Sequence, residues 1–272
     1  MTRELDPADL ETLRALFARH RFRPAHRLGQ NFLVDPALRD RVAEEVGAEG
    51  TEVLEVGAGP GALTVALARL AARVIAVEID RRLVGVLREV VAGIRNVEVR
   101  DGDVLKLSLP ASPVVAGNIP YYLTGALLPR LLDRPDRPGR VGLVVQKEVA
   151  ERWTAPGDWS LATLSVQVFA IPELRFLLPS AAFWPEPAVD SALVVMEVRP
   201  QPAVLVTSLE GFFRFAERVF QFRRKQLGGI LARLGAAEAP GRAGIDPSRR
   251  PQTLALAEWE ALYRAFEEAH LK

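Results

Sequence analysis

The sequence contains no cysteine, and only three of its 272 residues are histidines. The lack of cysteine excludes disulfide bonds, thiolate metal sites and a cysteine nucleophile. His20 and His26 lie in a basic run and His270 lies near the C-terminus, so we expect no histidine metal site. The chain also lacks an apolar run long enough to span a bilayer and a secretory signal at its start. We therefore expect a cytoplasmic protein without a metal.

The chain also lacks an excess of charge of one sign, because it contains 35 basic and 34 acidic residues. The charges are nevertheless unevenly distributed along the chain. Residues 19–27 carry four arginines and no acid, and residues 214–225 interleave basic residues with phenylalanines. Such runs are typical either of a solvated surface or of a surface that binds a polyanion, where Phe22 would be available to stack on a base.

Apolar stretches that end in polar or glycine residues recur in the first half of the chain. Residues 51–56 lead into a glycine-rich turn, residues 73–77 into Glu78, and residues 97–101 towards Asp103. Ligands of open α/β sheets bind at the carboxyl ends of the strands, so these polar groups are expected to share one edge. The pattern predicts an α/β fold with a Rossmann-like seven-stranded sheet.

Later stretches complete this sheet and mark a domain boundary. The remaining strands are expected at residues 114–116, 141–146, 174–178 and 192–198, with the last of them as a reversed edge strand. Two prolines, Pro200 and Pro202, then precede a pattern that is helical to the end. We therefore expect a sheet domain over residues 1–199, with its basic N-terminal segment, and a small all-helical domain over residues 200–272.

The glycine-rich turn after the first strand, residues 57–62, is compatible with two kinds of cofactor. Glycines let a backbone turn tightly and approach a ligand without a clash from a Cβ atom. The spacing also satisfies the dinucleotide-binding pattern, and Glu78 lies where a carboxylate would accept hydrogen bonds from ribose hydroxyls. By itself this turn does not exclude a protein that binds NAD.

The segment Gly117-Asn118-Ile119-Pro120-Tyr121-Tyr122 suggests a more specific chemistry. A side-chain amide and backbone carbonyls can hold the two hydrogens of an exocyclic amine, and a tyrosine ring can stack on the base that carries it. Pro120 has a fixed φ and can set the angle between Asn118 and Tyr121. A plain turn between a strand and a helix would have a similar composition.

Several motifs in the same order resemble those of the ribosomal small-subunit RNA adenine N6-dimethyltransferases, over essentially the whole chain. The resemblance displaces the NAD interpretation and implies a class I methyltransferase sheet. Ala188 stands where the family usually has a lysine. The matching segments are Gly29-Gln30-Asn31-Phe32-Leu33, Glu55-Val56-Gly57-Ala58-Gly59-Pro60-Gly61, Glu78-Ile79-Asp80, Gly102-Asp103, Asn118-Ile119-Pro120-Tyr121-Tyr122, residues 146–152, residues 183–191 and Arg223-Arg224-Lys225.

The resemblance implies methyl transfer from S-adenosylmethionine to N6 of two adjacent adenosines near the 3′ end of small-subunit rRNA, with S-adenosylhomocysteine as the by-product. The implied catalytic residues are Asn118, Ile119, Pro120, Tyr121 and Phe183. The implied cofactor residues are Gln30, Asn31, Leu33, Gly57, Gly59, Glu78, Ile79, Asp103 and Asn118. The implied RNA-binding residues are Arg21, Arg23, Arg27, Arg223, Arg224 and Lys225.

The resemblance also implies individual roles and partners. Gly57 would admit the methionine part of the cofactor, Glu78 would hold its ribose and Asp103 its adenine amine. Tyr121 and Phe183 would stack on opposite faces of the target base. The implied partner is small-subunit rRNA, within the 30S subunit or its precursor, bound by a monomer without a metal.

Other functions remain open on the sequence. Large-subunit rRNA adenine methylases share the core motifs and would protect a host against an antibiotic. A ribosome-assembly factor, for which binding matters more than catalysis, would need the same RNA contacts. DNA or protein amide methyltransferases share the Asn-x-Pro-Tyr motif but lack the Gln-Asn-Phe-Leu arrangement.

Overall fold

A computed structural model describes residues 5–25, 29–120, 123–155 and 157–270 of the chain. The chain divides into two units. The first extends to residue 150 and includes residues 172–198, and the second comprises residues 151–171 and those from 199 onward. The break after residue 198 is next to the expected domain boundary, but the second unit also takes residues 151–171. The division into two functional domains stays a prediction.

Seven strands form the main sheet, and two short strands pair separately. The main sheet has the strand order β4-β3-β2-β5-β6-β9-β7, and β1 pairs antiparallel with β8. The strands are β1 (Phe32–Leu33), β2 (Glu52–Val56), β3 (Arg73–Glu78), β4 (Val97–Asp101), β5 (Val114–Asn118), β6 (Arg140–Gln146), β7 (Ala170–Leu178), β8 (Phe183–Trp184) and β9 (Ser191–Val198). The seven-stranded sheet is therefore confirmed.

The position of the reversed strand differs from the expectation. Strands β2 to β6 pair in parallel with one another, and β9 runs antiparallel to β6. Strand β9 is not at the edge, because β7 lies outside it. Residues 191–196 of β9 are all buried, whereas β7 alternates and exposes Glu173 and Arg175. A strand buried on both faces needs neighbours on both sides, and a charged, alternating strand suits an edge.

Eleven α-helices occur among the described residues, and several begin at side chains that cap them. The side chains of Asp9, Asp35, Asp80, Ser160 and Ser208 each accept a hydrogen bond from a backbone N–H in the first turn of a helix. The helices are α1 (Leu10–Arg19), α2 (Pro36–Glu45), α3 (Ala62–Leu70), α4 (Arg81–Val90), α5 (Thr124–Leu132), α6 (Lys147–Thr154), α7 (Leu161–Phe169), α8 (Leu209–Phe220), α9 (Leu227–Arg233), α10 (Ala239–Arg242) and α11 (Leu256–His270).

The sequence patterns identified most of these elements but missed others. Helix α4 was not expected, although Leu83, Val86 and Leu87 are buried along one side of it. The pair of β1 and β8 was also missed, because two-residue strands leave no periodic pattern. Helix α6 contributes to the core, since Ala150 and Trp153 in it are buried.

The second unit is held together by aromatic packing. Phe215 of α8 contacts Tyr263 and Trp259 of α11, with ring centroids 5.6 and 6.3 Å apart. Phe212 meets Tyr263 edge-on at 5.6 Å. In the part of the chain that the structure describes, this region from residue 199 onward contains helices and no strand, as expected for an all-helical domain. No described helix is both long and apolar enough to cross a membrane.

One close approach in the first unit brings the end of β5 next to the end of β2. A Cβ atom at Gly117 would lie 2.6 Å from the carbonyl oxygen of Val56, closer than real Cβ contacts come. Glycine therefore lets the end of β5 pack against the end of β2. The next residue, Asn118, is thereby placed beside the glycine-rich turn.

Candidate active site

A cavity of about 390 Å³ opens at the carboxyl ends of the parallel strands. Its size lies within the range of about 300–1,000 Å³ that is common for small-molecule sites. It is lined by every residue implied for the cofactor, namely Gln30, Asn31, Leu33, Gly57, Gly59, Glu78, Ile79, Asp103 and Asn118. Ile119, Pro120 and Phe183 line it too, whereas Tyr121 lies outside the described residues.

The glycine-rich turn forms one wall of this cavity. Gly57, Gly59 and Gly61 have φ values of 71°, 58° and 98°, a region that L side chains rarely adopt. A Cβ atom at Gly61 would lie 2.8 Å from Cδ1 of Leu87. The glycines therefore allow the tight passage from β2 into α3 and leave the wall as bare backbone.

Glu78 is fixed by three backbone N–H groups at the end of β3. Its Oε2 accepts from Gly59 at 2.8 Å, and its Oε1 accepts from Ile79 at 3.0 Å and Asp80 at 2.9 Å. Burial raises the pKa of this carboxyl, and the three backbone N–H groups oppose that rise. A carboxylate offers about four acceptor positions, so about one remains for a hydroxyl of a bound ligand.

Gln30 connects the N-terminal segment to the end of β3. Its Oε1 accepts from the backbone N–H of Ala25 at 2.9 Å, and its Nε2 donates to Oδ2 of Asp80 at 3.3 Å. Arg82 also donates to Asp80, and this bond is the main cause of the lowered pKa of the Asp80 carboxyl. The Gln30 amide thus holds the segment next to the cavity. Asp80 also lines the cavity, although the sequence assigned it no role beyond its place in the segment Glu78-Ile79-Asp80.

Glu55 is a second buried carboxyl of the cavity wall that was not assigned a role from the sequence. The hydroxyl of Thr64 donates to its Oε2 at 2.6 Å. Burial raises the pKa of Glu55 to about 8, the Thr64 bond lowers it, and the charge of Glu78 raises it further. An acid within the otherwise apolar strand 53–56 was the signal that could have identified it.

The loop after β4 presents Asp103 to the cavity. Its Oδ1 accepts from the backbone N–H of Leu105 at 2.9 Å, and its Oδ2 lies 3.6 Å from Nζ of the exposed Lys106. One oxygen is therefore used to shape the turn. The other retains an acceptor position for a donor such as an amine.

Asn118 and Phe183 enter the cavity from different elements. Nδ2 of Asn118 donates to the backbone carbonyl of Asn31 at 3.3 Å. This bond orients the amide so that its Oδ1 remains an acceptor. Phe183 is buried and pairs with Leu33 in the short sheet of β1 and β8. The N-terminal segment therefore helps to position both side chains.

The basic residues of the N-terminal run are only partly as expected. Arg21 and Arg23 are exposed, and Arg27 lies outside the described residues. Phe22 is buried, with its ring centroid 4.6 Å from that of Phe17 and 6.2 Å from that of Phe32. The expectation that Phe22 is available for base stacking is therefore wrong, because the aromatic core takes it up.

The basic stretch of the second unit is mostly solvent-exposed. Arg224 and Lys225 are exposed, whereas Arg223 is half-buried and pairs with Asp158 at 2.5 Å. These three basic residues belong to a different unit from the cavity.

No group of three or more His, Asp or Glu side chains that could hold a metal ion occurs among the described residues.

Comparison with known proteins identifies the family. Residues 20–267 match the model of the ribosomal RNA adenine dimethylase family. The chain belongs to that family. It is therefore an S-adenosylmethionine-dependent rRNA adenine dimethyltransferase.

The relatives of this dimethyltransferase are similar along most of their length. A ribosomal RNA small subunit methyltransferase A from Pelotomaculum thermopropionicum is 39% identical, over 94% of this chain and 96% of its own. A protein of the same name from Enterococcus faecalis is 37% identical, over 93% and 94%. Among solved structures, the 23S rRNA methyltransferase ErmE has a TM-score of 0.69 at 30% identity and covers 87% of this chain and 100% of its own.

A further solved structure supports the fold. A dimethyladenosine transferase from Plasmodium falciparum has a TM-score of 0.73 at 24% identity and covers 88% of this chain and 98% of its own.

The cavity of the present enzyme fits S-adenosylmethionine chemically. Glu78 retains an acceptor position suited to a ribose hydroxyl, Asp103 retains one suited to an adenine amine, and the glycine turn leaves a wall without Cβ atoms.

Proposed function

We propose that this enzyme methylates N6 of two adjacent adenosines near the 3′ end of small-subunit (16S) rRNA and so takes part in small-subunit biogenesis. The observation that carries the proposal is the meeting of Asn118, Ile119 and Phe183 with the cofactor residues in one cavity. The substrate is suggested by relatives at 37–39% identity, which are named small-subunit methyltransferases.

The chemical difficulty lies in the nucleophile, because the N6 lone pair of adenine is delocalised into the ring. Oδ1 of Asn118 and the backbone carbonyl of Ile119 would accept the two N–H bonds and favour a pyramidal nitrogen. The bond from Asn118 to Asn31 supports this role, since it orients the amide with Oδ1 available. S-adenosylmethionine supplies an electrophilic methyl group when it is bound.

Stacking would keep the base in line with the methyl group. Phe183 would contact one face of the adenine and Tyr121 the other. Pro120 would set the angle between Asn118 and Tyr121. Phe183 has little freedom to move, because its side chain is buried and its backbone pairs with β1. Catalysis would thus rest on orientation and on hydrogen bonds placed for the developing charge.

The target adenine must leave its stack or already be unpaired. Aromatic stacking of about 1–3 kcal/mol per base would offset part of the cost of extrusion. Arg21, Arg23 and Arg27, with Arg223, Arg224 and Lys225, would hold backbone phosphates. Binding is then expected to weaken steeply with salt. A flat dependence of RNA affinity on salt would contradict this assignment.

The proposal includes the setting of the reaction. The substrate would be rRNA within the 30S subunit or its precursor, which places the enzyme in the cytoplasm. The enzyme would act as a monomer, and the mechanism above uses no metal. Sedimentation of the enzyme with 30S particles would give the stoichiometry, and one enzyme per particle is expected.

The decisive experiment is transfer of a radiolabelled methyl group to small subunits that lack dimethyladenosine. Large subunits, naked rRNA and the Asn118→Ala enzyme are the comparisons. We expect N6,N6-dimethyladenosine in small-subunit RNA alone, and its loss with Asn118→Ala. Label in large subunits alone, or in neither subunit despite cofactor binding, would refute the proposed substrate.

One observation favours a second candidate, a large-subunit rRNA adenine methylase. The 23S rRNA methyltransferase ErmE is 30% identical and is covered along its whole length. Such an enzyme would protect a sensitive host against an antibiotic that binds the large subunit. Expression of the chain in that host, with Asn118→Ala as the control, distinguishes the candidates, and we expect no protection.

A further inference from the structure

One arginine of α5 holds the loop that follows β4 at two backbone carbonyls. Nε of Arg130 donates to the carbonyl of Val104 at 3.2 Å, and Nη2 donates to that of Leu107 at 2.5 Å. Residues 102–105 of this loop line the cavity, whereas Arg130 does not. Arg130 therefore contacts the loop that lines the cavity without lining the cavity itself.

The loop carries internal bonds that fix its shape. The carbonyl of Asp103 accepts from Lys106 at 2.8 Å and from Leu107 at 2.9 Å, and Oδ1 of Asp103 accepts from Leu105. These bonds make a tight turn but do not attach it to the rest of the unit. Among the described residues, the hydrogen bonds that attach it are the one from the Gly102 N–H to the Glu78 carbonyl at 2.9 Å and those from Arg130, and Val104 is buried.

Helix α5 is also the helix that follows the Asn118 segment. It begins at Thr124, and its buried residues Leu127, Leu128 and Leu131 fix it to the first unit. One guanidinium thus joins the loop of Asp103 to the helix that continues from the base-binding segment. Arginine is suited to this task, because its planar fork can donate to two carbonyls at once.

We propose that Arg130 is a positioning residue that holds Asp103 at the distance from Asn118 which the cofactor requires. The proposal rests on the proposed function only for the role of Asn118 towards the target base. The cofactor half stands on the geometry of the loop. Arg134 provides a matched control, because its Nη2 donates at 3.1 Å to the carbonyl of Leu109, which does not line the cavity.

The test is calorimetric binding of S-adenosylmethionine, without RNA, to the wild type, Arg130→Ala, Arg130→Lys and Arg134→Ala. We expect Arg130→Ala to bind about tenfold more weakly, equivalent to about 1.4 kcal/mol. Arg130→Lys should recover only part of the affinity. Lysine keeps a positively charged donor, but its ammonium lacks the fork that reaches both carbonyls. Arg134→Ala should remain within about twofold of the wild type, which is a difference of about 0.4 kcal/mol.

Steady-state kinetics and melting temperatures separate positioning from general stability. For Arg130→Ala, KM for the cofactor should rise with the dissociation constant, while kcat at saturating cofactor falls less. Unchanged cofactor affinity in Arg130→Ala, or equal weakening in Arg134→Ala, would overturn the proposal. If the wild type bound cofactor but left small-subunit RNA unmethylated, the proposed substrate would fail and the binding comparison would still decide the role of Arg130.

Discussion

The carboxyl ends of the parallel strands and the basic stretch of the second unit present their charged groups in opposite ways. At the carboxyl ends of the strands, Glu55 and Glu78 are buried and Glu78 accepts three backbone hydrogen bonds. In the second unit, Arg224 and Lys225 are exposed to solvent. Buried, preorganised groups act strongly on one geometry, whereas exposed charges are screened and contribute additively. Substitutions at the carboxyl ends of the strands should therefore have large and specific effects. Substitutions in the basic stretch should have small effects that depend on salt.

The largest effect is expected at Asn118. Asn118→Ala removes an acceptor placed for the target amine, and the rate of methyl transfer should fall about 10²- to 10³-fold. Cofactor affinity, measured by calorimetry, should fall much less than the rate, although Asn118 also lines the cofactor cavity. Asn96→Ala is the matched control, because the Asn96 amide donates only to the carbonyls of Ala68 and Ala71 among the described residues. A similar loss of rate in both variants would contradict the special role of Asn118.

The next effect concerns stability and the buried carboxyl of Glu55. Its pKa rises on folding from the ordinary 4.5 to about 8, so between these values the folded chain binds more protons than the unfolded chain. Stability therefore falls as the pH rises through this window. Glu55→Gln should remove this decline, a difference on the order of 4 kcal/mol between pH 5 and pH 9.

Urea unfolding of the cofactor-free enzyme at the two pH values measures this effect. The exposed Glu49 provides the control, because Glu49→Gln should leave the decline in place. If Glu55→Gln showed the same decline as the wild type, the Glu55 carboxyl would not be the group that titrates.

A smaller effect is expected in the basic stretch. Removing Arg224 and Lys225 together should lower the slope of log affinity against log salt by about 1.4, at about 0.7 for each phosphate contact to single-stranded RNA. Arg242→Ala, in the same unit but paired with Glu268 at 3.8 Å, should leave the slope unchanged. Filter binding over a salt series measures both. Loss of affinity with no change in slope would argue against phosphate contacts.

The smallest effect is expected at Arg223. Its guanidinium is already paired with Asp158, so RNA must compete with that carboxylate. Arg223→Ala should therefore weaken RNA binding less than Arg224→Ala, by at most about 0.5 kcal/mol. The same salt series compares the two variants, and Asp158→Asn should increase the contribution of Arg223. An equal loss in both arginine variants would show that the ion pair does not matter.

The sequence alone determined the sheet, most of its strands and the residues around the cavity. Strands with buried faces need apolar runs, and glycine, Asn118 and Glu78 stand directly after such runs. Parallel strands place their carboxyl ends at one edge, so the order of the chain was enough to gather these side chains. The family motifs then identified the chemistry.

Only the tertiary structure decided which distant strands and side chains lie next to one another. The position of β9 between β6 and β7 depends on pairing between distant strands, which no local pattern shows. The burial of Phe22 against Phe17 and Phe32 depends on how the N-terminal segment folds back. The bond from Arg130 to Val104 in the Asp103 loop joins residues that are 26 positions apart in the chain, so packing and not sequence proximity brings them together. Composition and periodicity report which groups a chain can bury, whereas long-range packing decides which of them meet.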